Sequence, residues 1–198
     1  MKNILIATKN EDKYKIVYYL LEKICFPKAA NYQFFSLTDI EYDGPEQKEE
    51  GSLLERAEKK AKTIKNYLVK NNKNTYEYIV GTDDGIFMKG KLKENIKDYL
   101  KKILYENYFE ENEEICFSRA YCVISKDDKI FRTVTKVPYK YKPKKNAKIK
   151  ENSYPLSQVC VPLEFNKSLS DLSIDEGFSY CYNYSKENLL KLNEEINS

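Results

Sequence analysis

The chain has 198 residues, with 34 Lys and Arg against 31 Asp and Glu and no histidine, a formal net charge of +3 at pH 7. That length suits one domain spanning 1–198, which buries roughly 70% of the surface its unfolded form exposes and needs no metal or disulfide staple. Without histidine there is no Ser-His-Asp triad, Cys-His dyad, HExxH zinc site or imidazole base; acid–base work falls to Asp, Glu, Lys, Tyr or Cys, and a hard divalent ion on carboxylates becomes the leading metal chemistry.

Ile4–Ala7 is an apolar run that reads as a buried strand. The segment is too short for a signal-peptide core, and no apolar stretch approaches the roughly 18 residues of a membrane span. Cys25, Cys116, Cys122, Cys160 and Cys181 form no CxxC pair. The expectation is therefore a cytoplasmic protein with free thiols and no membrane partner. After a Thr8-Lys9-Asn10 turn, Tyr14, Val17, Tyr18, Leu21 and Ile24 recur at helical spacing, so a helix is predicted from Glu11 to Ile24, stopped before Pro27. Gln33–Leu37 reads as a second strand and Asp43-Gly44-Pro45 as a loop. Ser52-Leu53-Leu54-Glu55 matches a capping box and opens a helix from Leu53 to Val69 with Ala57, Ala61, Ile64 and Leu68 on its apolar stripe. Tyr78–Thr82 reads as a buried strand that ends in an Asp83-Asp84-Gly85 turn. Ile96, Tyr99, Leu100, Ile103, Leu104 and Tyr108 predict a third helix. From Glu114 to Val137 the period changes to two, giving a hairpin turned at residues 126–129. Lys140 to Lys150 reads as an exposed basic loop, Val159–Leu163 as a strand, and Leu189, Leu190, Leu192 and Ile196 as a closing helix. The order βαβαβ, helix, hairpin, α/β tail predicts an α/β fold built on a mixed sheet.

Three segments carry candidate chemistry. Thr8 to Lys13 joins a strand to a helix, where free backbone N–H groups and the positive dipole end suit phosphate. Thr8 and Asn10 add neutral groups there and Lys13 adds a charge, although Asn10 equally suits a plain N-cap. Glu55, one turn before Lys59 and Lys60, is a candidate metal ligand that doubles as the capping-box residue. Asp83 and Asp84 end a strand, where open α/β sheets collect ligands, yet they also suit an ordinary turn. No Walker loop and no GxGxxG occurs. Carboxylates from two segments and a Lys-bearing helix start suit Mg²⁺-assisted attack on a polyphosphate, with a carboxylate orienting or deprotonating water. Lys140 to Lys150, with Tyr139 and Tyr141 for stacking, could track nucleic acid, but acids spread along the chain argue against a dedicated binder.

In order and spacing these segments resemble the inosine triphosphate pyrophosphatases, which act on noncanonical purine nucleoside triphosphates. Thr8-Lys9-Asn10-Glu11-Asp12-Lys13 resembles the family's [ST]xNxxK loop, residues 50–61 its G-x-TF-x-ENA-x-x-KA segment, and residues 80–86 its DDSGL segment. Asp83 matches the second aspartate, Thr82 replaces the first, and Arg119 falls where the family has a strand beginning with Arg. The resemblance implies an elongated two-lobed sheet around a central cleft, a homodimer, and Mg²⁺-dependent hydrolysis of a nucleoside triphosphate to the monophosphate and pyrophosphate. By position it implies that Thr8, Asn10, Lys13 and Lys60 bind the triphosphate. It further implies that Glu55 ligates metal, and that Asp83 either activates water as the catalytic carboxylate or ligates metal. Arg56 replaces the family's Asn, Asn152-Ser153-Tyr154-Pro155 stands near its GxGYDP segment, and its late Ser-His-Arg has no counterpart. The same scaffold could also serve as a nucleotide-binding or regulatory protein without turnover.

Overall fold

In the computed structural model, residues 1–27, 31–45, 50–88, 90–93, 96–106, 108–144 and 155–198 are described. The first apolar run forms β1 (Lys2–Ile6), which leads through Thr8 into α1 (Glu11–Ile24). β2 (Tyr32–Ser36) begins and ends one residue earlier than the sequence predicts, and α2 (Leu53–Lys70) extends one residue further. β1 is central to a parallel trio, with β2 on one side and β3 (Tyr78–Met88) on the other. β3 also pairs antiparallel with β4 (Lys91–Lys93), a short strand the sequence pattern does not announce, and with β5 (Glu114–Ser125). α3 (Ile96–Tyr105) precedes β5 and stops short of Tyr108. β5 and β6 (Ile130–Tyr141) make the expected hairpin, and β7 (Cys160–Pro162) closes the sheet before α4 (Ile174–Asn197). Short 3-10 turns at Pro155–Gln158 and Leu169–Asp171 connect these last elements. The strand order is β2-β1-β3-β5-β6-β7, with β4 beside β3. The mixed α/β sheet with flanking helices is the fold class the sequence predicts.

Two expectations need correction. The Asp83-Asp84-Gly85 segment is not a turn. β3 runs through it to Met88 because β5 pairs with it from Tyr78 to Phe87, with Asp83 opposite Ala120 and Asp84 opposite Arg119. Its parallel partner β1 ends at the Ile6–Val80 pair, so the two aspartates lie just past the end of β1, level with the start of α1. Lys140 and Tyr141 belong to β6 rather than to a loop. Tyr139 and Tyr141 are buried, and the Tyr141 hydroxyl donates to the Ile103 carbonyl at 2.9 Å, so neither ring is presented for base stacking. Residues 145–150 of that basic run, and residues 152–154 near the GxGYDP position, lie outside the described residues.

The core divides into three clusters. α2 covers one face of the sheet through Ala57, Ala61, Ile64 and Leu68 against Leu5, Ala120, Cys122 and Ile124. α1 and α4 cover the opposite face through Val17, Leu20, Leu21, Leu189 and Leu192 against Ile4, Ile6, Val80, Tyr121 and Val123. A third cluster gathers at the far end of the long strands around Ile86, Ile103, Tyr139, Tyr141 and Tyr180. On the α1 face of β3, Val80 belongs to one cluster and Ile86 to the next. Thr82 and Asp84 fall between them, and the gap between two cores is where the cleft of a two-lobed molecule opens. Among the described residues no helix is long and apolar enough to cross a membrane.

Candidate functional site

Side chains alternate across a strand, so adjacent residues face opposite sides of the sheet. Asp83 and Asp84 therefore part company. Asp83 lies with Gly81 and Gly85 on the α2 face. The two glycines let the helix lie directly on the strand: a Cβ at Gly81 would stand 2.0 Å from the Ala57 carbonyl oxygen, and one at Gly85 would stand 3.0 Å from Leu53 Cδ1. Arg56 and Lys60, four residues apart on the facing side of α2, then meet Asp83. Arg56 Nε donates to Asp83 Oδ2 at 2.5 Å, and Lys60 Nζ donates to Asp83 Oδ1. Arg56 and Asp83 are buried, each 4% exposed, whereas the Lys60 side chain keeps 21% of its surface in solvent.

Asp84 faces α1 and α4. Arg119 Nε donates to its Oδ1 at 2.6 Å and Lys13 Nζ sits 3.2 Å from its Oδ2. Lys13 also donates to the Thr82 carbonyl at 3.3 Å. Burial pushes the Lys13 ammonium below the usual lysine value, against the upward pull of Asp84. Each aspartate is thus held by two cations, and the six side chains together carry two positive charges in excess. An anion suits such a place better than a cation does.

The strand-to-helix junction beside them is ordered by its own side chains. Asn10 caps α1 by accepting from the Lys13 N–H at 2.8 Å, and its own N–H donates to Thr8 Oγ1 at 3.1 Å. Thr8 is buried between strands, its carbonyl accepting from the Leu37 N–H. Of the residues singled out from the sequence, Lys60 meets Asp83, and Lys13 meets Asp84 and the carbonyl of Thr82, the residue just before Asp83.

Glu55 does not join this group. Its Oε2 accepts from the Ser52 N–H at 2.7 Å and lies 2.9 Å from the Ser52 hydroxyl, which completes the capping box on the exposed end of α2. The Ser52 backbone bond, then the hydroxyl, hold the Glu55 carboxyl below its usual range. Among the described residues the expected Mg²⁺ therefore finds no fitting donor set. Both Asp83 oxygens are engaged by cations, Glu55 is turned onto its cap, and Asp84 lies on the other face. Among the described residues no three His, Cys, Asp or Glu side chains gather to hold a metal ion.

A cavity of about 350 Å³ opens on the α1 and α4 side, within the size range of small-molecule pockets. Asp84 and Arg119 stand in its wall with Ile16, Tyr121, Tyr139 and Phe178. Ser185 Oγ, fully buried in that wall, has no hydrogen-bond partner among the described residues. Burial pushes the Tyr121 phenol up to about 12, so it stays protonated. The cavity thus offers aromatic walls, neutral hydroxyls and a charged end where Lys13 and Arg119 meet Asp84. Sequence reasoning missed Asp84 as a cavity residue, although strand alternation between Gly81 and Gly85 carries the signal.

No protein-family profile matches the chain, and no curated protein matches it by sequence. Solved structures do match its fold. The Staphylococcus aureus Ham1 protein superposes with a TM-score of 0.62 at 16% identity, over the whole of both chains. A HAM1 protein from Coxiella burnetii gives 0.63 at 14% identity, covering 98% of this chain and all of that one. A Mycobacterium abscessus nucleoside-triphosphatase / dITP/XTP pyrophosphatase gives 0.52 at 16% identity, covering 92% and 94%. At these identities the likeness is one of fold.

Proposed function

We propose that the protein hydrolyses a nucleoside triphosphate to the monophosphate and pyrophosphate. The observation that carries this reading is the pair of clamped aspartates on β3 beside the start of α1, Asp84 in the cavity wall and Asp83 on the opposite face of the strand. The two extra positive charges there suit a polyphosphate, and the aromatic part of the cavity suits a base. The fold shared with the Mycobacterium abscessus dITP/XTP pyrophosphatase supports the same class.

In this reading Thr8, Asn10 and the free N–H groups at the start of α1 receive phosphate oxygens, with Lys13 and Lys60 neutralising their charge. Lys60, the more exposed cation on Asp83, turns to the phosphate and leaves Asp83 Oδ1 open to a water. Asp83 takes a proton from that water as it attacks. The bond between the α-phosphorus and the bridging oxygen breaks, and pyrophosphate leaves with the bond's electron pair, stabilised by the lysines. Arg56, hydrogen-bonded to Asp83 Oδ2, keeps the carboxylate aimed. The base, a noncanonical purine as in ITP, XTP or dITP, lies in the cavity against Ile16 and Phe178, within reach of the unpartnered Ser185 hydroxyl. The working form is a homodimer, which light scattering of the purified chain checks.

Pyrophosphate release from a panel of triphosphates tests the reading. Asp83→Asn is expected to lower the rate by about 100-fold or more, the usual contribution of a general base. Equal rates in parent and variant would remove Asp83 from the chemistry. The closed clamp on Asp83 gives a second reading its footing: a protein that binds the nucleotide without turning it over, shown by saturable binding and no pyrophosphate.

A further inference from the structure

The carboxylate at the centre of the site is already supplied with positive charge by the chain itself. Arg56 and Lys60 bind different oxygens of Asp83, and Arg56 is buried beneath α2 with its Nε 2.5 Å from the carboxylate. Glu55, the other acid that would share a metal, spends its carboxylate on Ser52 at the exposed end of the helix. Resting on the pyrophosphatase reading, we propose that Arg56 and Lys60 take the place of a divalent ion at Asp83, so that the site binds a triphosphate without Mg²⁺.

Charge and space both support this. A Mg²⁺ ion held by Asp83 and Glu55 beside Lys60 and Arg56 would leave two positive charges in excess at that point. Without the ion, and with Glu55 outside in solvent, Arg56, Lys60 and Asp83 leave one. An inner-sphere Mg²⁺ needs an oxygen ligand at about 2.0–2.1 Å in octahedral array. At Asp83 Oδ2 it would have to displace the buried Arg56 guanidinium, and at Oδ1 it would replace Lys60 while still facing the fixed charge of Arg56. Displacing Arg56 would strand its charge beneath the helix, and breaking a buried pair in that way is strongly unfavourable. Lys60, with more of its side chain in solvent, is the cation able to swing to an incoming phosphate. Arg56 stays as the permanent counter-charge that positions Asp83. The position is specific: Arg56 sits one turn before Lys60, and Gly81 brings the helix close enough for both to reach one carboxylate.

Calorimetric titration of the full chain with ITP, once in EDTA and once in Mg²⁺, tests the proposal. The two affinities are expected to agree within about threefold, less than the effect of one charge-assisted hydrogen bond. Mn²⁺ alone, followed by electron paramagnetic resonance, is expected to show no saturable site on the parent protein. Arg56→Asn, which releases Asp83 Oδ2, is expected to lose about tenfold or more of the ITP affinity in EDTA. It should regain that affinity with Mg²⁺ and acquire a Mn²⁺ signal. Arg56→Lys, which keeps the charge, should still bind in EDTA, and it reports on the site even if the Asn variant fails to fold. ITP binding by the parent that vanishes in EDTA, or a tight Mn²⁺ site on the parent, would overturn the metal-free site and leave the pyrophosphatase reading standing. Absence of ITP binding with and without Mg²⁺ would overturn that reading and the proposal together.

Discussion

Asp84 holds Lys13 and Arg119 at the edge of the cavity, and the two roles this implies have opposite signs. As a structural ion it offsets two charges whose side chains are 13% and 15% exposed. As an anion in a phosphate-binding corner it competes with the ligand. Asp84→Asn is therefore expected to lower stability by about 2 kcal/mol, less than a fully buried pair because each partner keeps some water. It is also expected to raise affinity for inorganic tripolyphosphate. Urea unfolding and calorimetry together check this, and a purely structural residue would lower both. The same residues show what can be read locally. Asn10 as a cap and the Ser52–Glu55 box are legible because each bond spans three residues. The Arg56–Asp83 and Arg119–Asp84 bonds span 27 and 35 residues, and nothing within either segment names its partner.

At the scale of elements, the packing of α2 on β3 decides the geometry of the Asp83 clamp. A methyl at Gly81 would meet Ala57 and Ala61 backbone atoms at 2.0 and 2.8 Å, and backbone cannot rotate aside as a side-chain tip can. Gly81→Ala is expected to lift the helix and cost about 3 kcal/mol or more, at the upper end of overpacking. Its urea midpoint should fall with the slope unchanged, and ITP binding should weaken because Arg56 precedes Ala57, Lys60 precedes Ala61, and both lift with the helix. The start and end of α1 and the faces of the hairpin follow from periodicity and caps. The length of β3 does not, because Asp-Asp-Gly is ordinary turn chemistry. It becomes strand here only through its ten-residue pairing with β5.

At the scale of the whole molecule, the absence of histidine and the buried tyrosines set the response to pH. No side chain with an ordinary pKa between 5 and 8 is present, so thermal stability should change little between about pH 6 and 8. Tyr121 is pushed up to about 12 by burial, and Tyr139 and Tyr141 are also raised by burial. Unfolded tyrosine loses its proton near pH 10, so the folded state binds more protons above that value. Burial also pushes the Cys25 and Cys122 thiols up to about 12, and unfolded thiols lose their proton near pH 9. Stability should then fall above about pH 9, by roughly 1.4 kcal/mol per pH unit for each such group. Melting temperature against pH, with tyrosinate absorbance recorded alongside, checks the window; a loss beginning near pH 7 would contradict it. The sequence by itself determined α1 and α2 with their N-caps, the hairpin and the class of sheet, because those rest on contacts a few residues apart and on periodicity. Only the tertiary structure decided that two neighbouring aspartates serve opposite faces, which cations each one meets, and that a cavity opens between two cores. Those outcomes depend on strand alternation fixed by a distant partner and on how closely a helix can approach a glycine.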